Sequence, residues 1–155
     1  MAAGTGTGAN QVGDIDIKGP ATIDGAVVLT SDVTGGKTND GKVDFNSTIS
    51  GINTGGDSAA DTLTIETGGG NVVLGGTIGA ADGAHLDGLT INTTATDANY
   101  DAALSIPAIG THGTRAGVRG ITSIGNANSG DVTLSAAGYQ FQDGQTTITS
   151  GGSIV

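Results

Sequence analysis

The sequence predicts an all-β protein: a parallel β-helix, or β-solenoid, of about five rungs with a repeat of about 29 residues. Three observations favour this fold. Thirty of the 155 residues are glycine, and each glycine inside a helix costs about 1 kcal/mol relative to alanine. Short runs with alternating apolar residues recur at nearly constant spacing. Only two tyrosines and two phenylalanines occur, which suits a narrow core filled by smaller side chains.

The first strand motif recurs five times along the chain. Its copies begin at Ile15, Val43, Val72, Leu104 and Val132, so the steps between them are 28, 29, 32 and 28 residues. The fourth copy is the weakest. Alternation places the first and third residues of each copy in the core and turns residues such as Asp16 and Asp44 outward. A Thr-Ile pair follows the first three copies, at 22–23, 48–49 and 77–78, and we align these three pairs.

A second strand motif lies between successive copies of the first. Its copies are 27–30, 63–67, 89–93, 121–124 and 146–149. The best internal match also aligns 61–67 with 87–93. We therefore expect about ten strands, two in each repeat, with a third strand per repeat as an option. A helix over 97–104 is an alternative for that segment.

A β-sandwich is the competing all-β architecture, since it too has short strands separated by turns. A sandwich usually needs larger apolar residues and need not repeat itself every 29 residues or so. The composition fits a solenoid better than a sandwich, because the sharp corners of a solenoid favour Gly, Asn and Asp and its narrow core favours Val and Ile. We expect 1–12 to be a flexible segment. We expect 13–155 to form one solenoid domain within a longer repetitive protein or fibre.

The charge and the missing cysteines exclude several function classes. Fifteen acidic residues against five basic ones give a net charge of −10, which would repel nucleic acid. With no cysteine, the chain has neither disulfides nor thiolate metal ligands. No apolar run approaches the ~20 residues of a membrane span. The expected partners are neighbouring repeats, identical subunits, or a host or environmental surface.

Three segments carry a family resemblance: 70–79, 86–93 and 130–138. They resemble the repeats of giant bacterial surface proteins, the filamentous-haemagglutinin-like and autotransporter-like adhesins. The resemblance covers most of 13–155 and lies in composition and rhythm. It implies a secreted β-helical stalk or fibre at the bacterial cell surface, and it brings no catalytic residues with it. A subunit that polymerises by end-to-end stacking or strand exchange is the alternative.

Loop aspartates are the candidate metal ligands. Asp57 and Asp61 flank one loop, and Asp97 and Asp101 flank another. Ca²⁺ takes six to eight oxygen ligands, which Asp side chains and loop carbonyls supply, so a calcium-dependent binding module is a third hypothesis. The competing interpretation is that these residues make turn hydrogen bonds and keep the surface soluble. No complete calcium-loop motif occurs.

The sequence favours a protein without enzymatic activity. His85 and His112 are the only histidines, and we expect both in surface loops. No Gly-x-Ser-x-Gly nucleophile turn occurs. We therefore predict no catalytic residues and no cofactor, with calcium as the one ion to test.

Overall fold

A computed structural model describes twelve strands and no helix in the described part of the chain. The described residues are 13–31, 41–52, 60–80, 83–93, 104–106, 109–110, 117–125, 131–134, 139, 141, 144–150 and 152–155. The strands are β1 (Ile15–Ile17), β2 (Ala21–Ile23), β3 (Ala26–Thr30), β4 (Val43–Phe45), β5 (Ile49–Gly51), β6 (Thr62–Thr67), β7 (Val72–Leu74), β8 (Leu86–Thr93), β9 (Leu104–Ile106), β10 (Val118–Ile124), β11 (Val132–Leu134) and β12 (Thr146–Ile148).

The strands form three sheets that run along one axis. The short-strand sheet has the order β1-β4-β7-β9-β11, and the long-strand sheet has the order β3-β6-β8-β10-β12. The middle sheet is the pair β2-β5. Every pairing between these strands is parallel. The chain therefore winds as a three-sided parallel β-solenoid and does not form the antiparallel sheets of a β-sandwich.

The register of the short-strand sheet is the one that the sequence repeat predicts. Ile15 pairs with Val43, Val43 with Val72, Val72 with Leu104, and Leu104 with Val132. Like positions therefore stack one above another, and the apolar residues form a continuous inward column. The observed steps equal the predicted ones because a slip of one residue would turn each apolar side chain towards solvent.

The long-strand sheet follows the second motif in the same way. Leu63 pairs with Val27 and Leu89, and Ile65 pairs with Leu29 and Ile91. The register then shifts once, between the pairs Leu86–Val118 and Gly88–Ile121, so that β10 carries one extra residue at 119–120. This irregularity is a β-bulge.

The middle sheet corrects one predicted alignment and supplies the optional third strand. Ile49 pairs with Ala21, not with Ile23, and Ile23 lies opposite Gly51. Single bridges then extend this face from Ile49 to Ile78, from Ile78 to Ile109 and from Ile109 to Tyr139. The Thr-Ile pair of the first repeat is thus displaced by two residues, a slip that leaves Ile23 buried in the core.

Apolar side chains from all three sheets meet in one buried cluster. It consists of Val, Ile and Leu with a single aromatic residue, Phe45, which is 1% exposed. Half-buried side chains, including Tyr139, Phe141 and Ile148, pack against the cluster. A core this thin suffices because each rung covers the core of the next.

The solenoid has about three turns, and most residues of 13–93 are described. Beyond residue 93, short described segments add further strands to the two five-stranded sheets. The count of five rungs is not confirmed by this and stays a prediction. The segment 1–12 and most of the alternative helix over 97–104 lie outside the described residues, although Leu104 begins strand β9.

Candidate functional site

Asp61 is the one predicted metal ligand that the described residues contain, and it is fully buried. Its Oδ1 accepts a hydrogen bond from the Gly25 amide at 2.8 Å, and its Oδ2 accepts one from the Ile52 amide at 2.7 Å. Both oxygens are therefore held by backbone donors from two different rungs. A buried carboxylate needs such partners, since an unpaired charge in the core is costly.

Local sequence explains why the carboxylate lies there. Asp61 immediately precedes β6, at the corner where the chain enters the long-strand sheet. Gly25 occupies the same corner one rung earlier and has a φ of +75°, which an L-residue with a side chain rarely adopts. The left-handed turn directs the Gly25 N–H towards the next rung, where the Asp61 Oδ1 accepts its hydrogen bond.

A second aspartate repeats this position one rung later. Asp87 accepts a hydrogen bond from the Asp61 amide through its Oδ2 at 2.9 Å, and the Asp87 amide donates to the Asp61 carbonyl at 2.8 Å. The sequence alignment of 61–67 with 87–93 already places these two residues opposite each other. The corner thus joins three successive rungs through side-chain and backbone bonds.

His85 lies beside this corner, and its predicted exposure is wrong. The residue is only 1% exposed, and its Nε2 is 3.4 Å from the Asp87 Oδ1. His85 directly precedes β8, so its imidazole lies next to the Asp87 carboxylate and is buried. His112, the other histidine, lies outside the described residues.

Two buried hydroxyl groups lie at the carboxyl ends of strands β3 and β6 of the long-strand sheet. The Ser31 hydroxyl donates to the Gly41 carbonyl at 2.7 Å, and the Thr67 hydroxyl donates to the Gly70 carbonyl at 2.8 Å. Both side chains are fully buried. Each hydroxyl thus supplies a hydrogen-bond donor to a backbone carbonyl beyond the end of its strand.

One buried hydroxyl departs from this pattern. The Thr122 Oγ1 has no hydrogen-bond partner among the described residues, although the residue is fully buried. In the preceding rung, the equivalent position of the long-strand sheet is occupied by Leu89. The sequence motif places Ile121 opposite Leu89, but the bulge moves Ile121 opposite Gly88, where it is 67% exposed, and brings Thr122 inward instead.

The outward acids lie mainly on the short-strand sheet. The Asp14 Oδ1 accepts the Lys42 amide at 3.0 Å, and the Asp16 Oδ1 accepts the Asn46 side-chain amide at 2.7 Å. The Lys42 Nζ lies 3.4 Å from the Asp44 Oδ2. The first two contacts link neighbouring rungs, whereas Lys42 and Asp44 belong to the same rung and form a surface ion pair of a kind that contributes little to stability.

The remaining predicted calcium ligands, Asp57, Asp97 and Asp101, lie outside the described residues. Within the described part of the chain, no group of three or more His, Asp or Glu side chains is placed to hold a metal ion. The described residues also contain no helix suited to crossing a membrane. What the described arrangement does chemically is to satisfy backbone groups at the corners.

Comparison with known proteins does not assign the chain to a family. No family model matches the sequence, and no curated protein and no solved structure matches it. The argument for a function therefore depends on the fold and on the contacts described above.

Proposed function

We propose that this chain is a non-enzymatic structural protein, a stalk or fibre segment of a bacterial extracellular adhesin. The observation that carries the proposal is the continuous register of the short-strand sheet, in which one position of each repeat stacks from Ile15 to Val132. A solenoid built this way is a stiff rod whose length grows with the number of repeats. Five rungs at ~4.8 Å would span ~24 Å along the axis.

The chemistry of the described side chains supports a structural role. Asp61, Ser31 and Thr67 direct their oxygens to backbone groups of the corners. The outward carboxylates of the short-strand sheet, with a net charge of −10 for the chain, favour a rod that stays soluble and separate from its neighbours. The resemblance of the repeats to bacterial adhesin repeats supports a place outside the cell.

Labelling of intact cells tests this proposal. An antibody raised against the purified domain is applied to producing cells before and after lysis, and labelled filaments are examined by electron microscopy. A surface stalk predicts labelling of intact cells along thin projections. Labelling that appears only after lysis would contradict the extracellular role.

A filament of separate subunits stacked end to end remains the alternative proposal. Burial weighs against simple stacking, because the core residues of the first described rung are already covered. Ile15, Ile23 and Leu29 are 6%, 4% and 3% exposed. Light scattering over a range of concentrations tests it, since stacking subunits would grow in mass as the concentration rises.

A further inference from the structure

The outer faces of the two five-stranded sheets differ in charge. On the long-strand sheet, the outward residues of successive strands lie in register and form three columns. The central column consists of Val28, Thr64, Thr90, Ser123 and Thr147. The two flanking columns begin at Ala26 and Thr30. We call the surface formed by the three columns the threonine face, and among its described positions Glu66 is the only charged residue.

The outer face of the short-strand sheet is charged by comparison. Asp14, Asp16 and Asp44 lie there, and Lys18 and Lys42 balance them only in part. The chain as a whole has a net charge of −10. Two copies that approached each other through their short-strand sheets would place like charges opposite one another, which is unfavourable. Two threonine faces would approach without this local repulsion.

The single charge of the threonine face lies at its margin. Glu66 is the last outward residue of β6, and its Oε2 accepts a hydrogen bond from the Thr30 hydroxyl at 3.3 Å. A carboxylate in this position stays hydrated when the middle of the face is covered, so covering the face does not bury an unpaired charge.

Apolar side chains are exposed on the same face. Val28 is 53% exposed, and Ile121, which the bulge of β10 turns outward, is exposed further still. The threonines in the rungs between them add methyl groups. A surface with exposed apolar groups and no charge at its centre has the composition of the buried part of a protein interface.

The size of the threonine face limits the strength of a contact made through it. Five strands at ~4.8 Å and five residues at ~3.3 Å give a footprint of about 24 by 17 Å, or about 400 Å². Two such faces would together bury about 800 Å², below the ~1,200 Å² of a stable, specific interface. A contact of this size is weak and reversible. The middle sheet, the pair β2-β5, offers less area still.

We infer that the threonine face binds a second copy of this chain, and that two copies pair face to face through it as a closed two-fold dimer. Charge identifies the occupant. A basic partner would be drawn to the acids of the short-strand sheet, whereas the threonine face fits a flat partner without charge, which a second threonine face provides. The inference goes beyond the proposed function, because neither a stalk segment nor end-to-end stacking requires this face to be covered.

Sedimentation velocity of the purified chain tests the inference over roughly 10 µM to 1 mM, the range in which so small an interface associates. Thr90→Glu places a carboxylate at the centre of the threonine face. The matched control is Ser105→Glu, which adds the same charge at an outward position of β9 in the short-strand sheet. Ile121→Thr removes an exposed apolar side chain from the face and keeps a β-branched residue. Melting curves by circular dichroism show whether each variant is folded.

The average mass of the parent chain should rise with concentration from one chain towards two and stop there. Thr90→Glu should weaken dimerisation at least ~10-fold, because each dimer would bury two like charges. Ile121→Thr should weaken it by a smaller factor, about 3-fold, because less apolar area is buried. Ser105→Glu should match the parent chain within ~2-fold, since a distant surface charge is screened.

Raising the salt concentration from ~0.05 M to ~0.5 M should strengthen the dimer, because salt screens the repulsion between two chains of net charge −10. A parent chain that stays monomeric at ~1 mM in high salt would overturn the inference. Equal dimerisation of Thr90→Glu and Ser105→Glu would also overturn it. So would a mass that grows beyond two chains, because the contact would then lie at the ends of the rod. Labelling of intact cells tests the extracellular role independently of all these outcomes.

Discussion

The short-strand and long-strand sheets solve the same packing problem in different ways. Strands of the short-strand sheet have three residues each and turn one or two apolar side chains inward per rung, with acids such as Asp16 outside. Strands β6 and β8 of the long-strand sheet have six and eight residues and end in buried hydroxyls. The difference teaches that a three-residue strand fixes its register with only one or two buried side chains. Long strands fix their own register but must accommodate defects such as the bulge in β10.

The largest effect is expected at the corner where the chain passes from the middle sheet into the long-strand sheet. Asp61→Ala removes a buried carboxylate that accepts hydrogen bonds from two half-buried amides, those of Gly25 and Ile52. The Gly25 amide would lose this acceptor and the Ile52 amide would keep only its longer bond to the Ile23 carbonyl at 3.2 Å, so the free energy of unfolding should fall by about 3 kcal/mol. The melting temperature measured by circular dichroism should fall by about 10 °C.

Asp24→Ala is the control for this corner, since Asp24 is exposed and lies next to Gly25. Its melting temperature should match that of the parent chain. Equal melting temperatures for Asp61→Ala and Asp24→Ala would show that the hydrogen bonds of Asp61 do not stabilise the stacking of the rungs.

A smaller loss is expected at the bulge of the long-strand sheet. A Cβ placed on Gly120 would lie 1.6 Å from the Asp87 carbonyl oxygen, which belongs to rigid backbone of the rung below. Gly120→Ala should therefore cost about 2–3 kcal/mol, in the range of overpacked cores. Gly19→Ala is the matched control, because nothing lies within 4 Å of its added Cβ. Equal unfolding curves for the two variants would show that β10 can realign without its extra residue.

A gain of stability is expected where the long-strand sheet carries a hydroxyl in its apolar column. Thr122→Val replaces a buried, unpaired hydroxyl by a methyl group of similar volume. The free energy of unfolding should rise by about 1 kcal/mol. Thr64→Val changes an outward position of β6 and should leave denaturant unfolding unchanged. A loss of stability in Thr122→Val would mean that the hydroxyl has a partner after all.

The smallest effect is expected from calcium. The two oxygens of Asp61 already accept backbone amides in the core, so this residue is not free to bind an ion from solution. Melting in excess Ca²⁺ and in excess chelator should agree within ~1 °C, because a ligand stabilises only a protein that binds it. A rise of many degrees with Ca²⁺ would instead favour the calcium-dependent module and point to Asp57, Asp97 and Asp101.

Sequence reasoning recovered the register of the short-strand sheet and of β3, β6 and β8, because that register has a strong physical signature. It missed the register of β10, where the bulge places Ile121 opposite Gly88 and leaves it 67% exposed. A one-residue slip between Ile15 and Val43 would expose the core, so alternation alone identifies the pairing. The same reasoning misplaced Ile23. A slip of two residues keeps the side chain on the inward face, and a Thr-Ile pair is too short to distinguish the two alignments.

The candidate site was harder to read for a different reason. Asp61 is paired with Gly25 and Ile52, which come from different rungs, and the sequence gives no sign of which turn presents its N–H groups there. His85 looked like a surface-loop residue because Gly83 and Ala84 precede it. Its burial beside Asp87 depends on how the rungs stack, which only the folded structure supplies.

The 28-to-32-residue register has a mechanical consequence. Each rung adds only ~4.8 Å to the length of the folded rod. A rung of about 29 residues that is peeled off under tension releases roughly 100 Å of extended chain, at ~3.4 Å per residue. Because each rung touches only its neighbours, peeling can proceed one rung at a time from an end. The extended chain of each rung is therefore about twenty times as long as the folded rung. Under tension, a rod of this kind would lengthen in steps of one rung, which limits the force that it transmits.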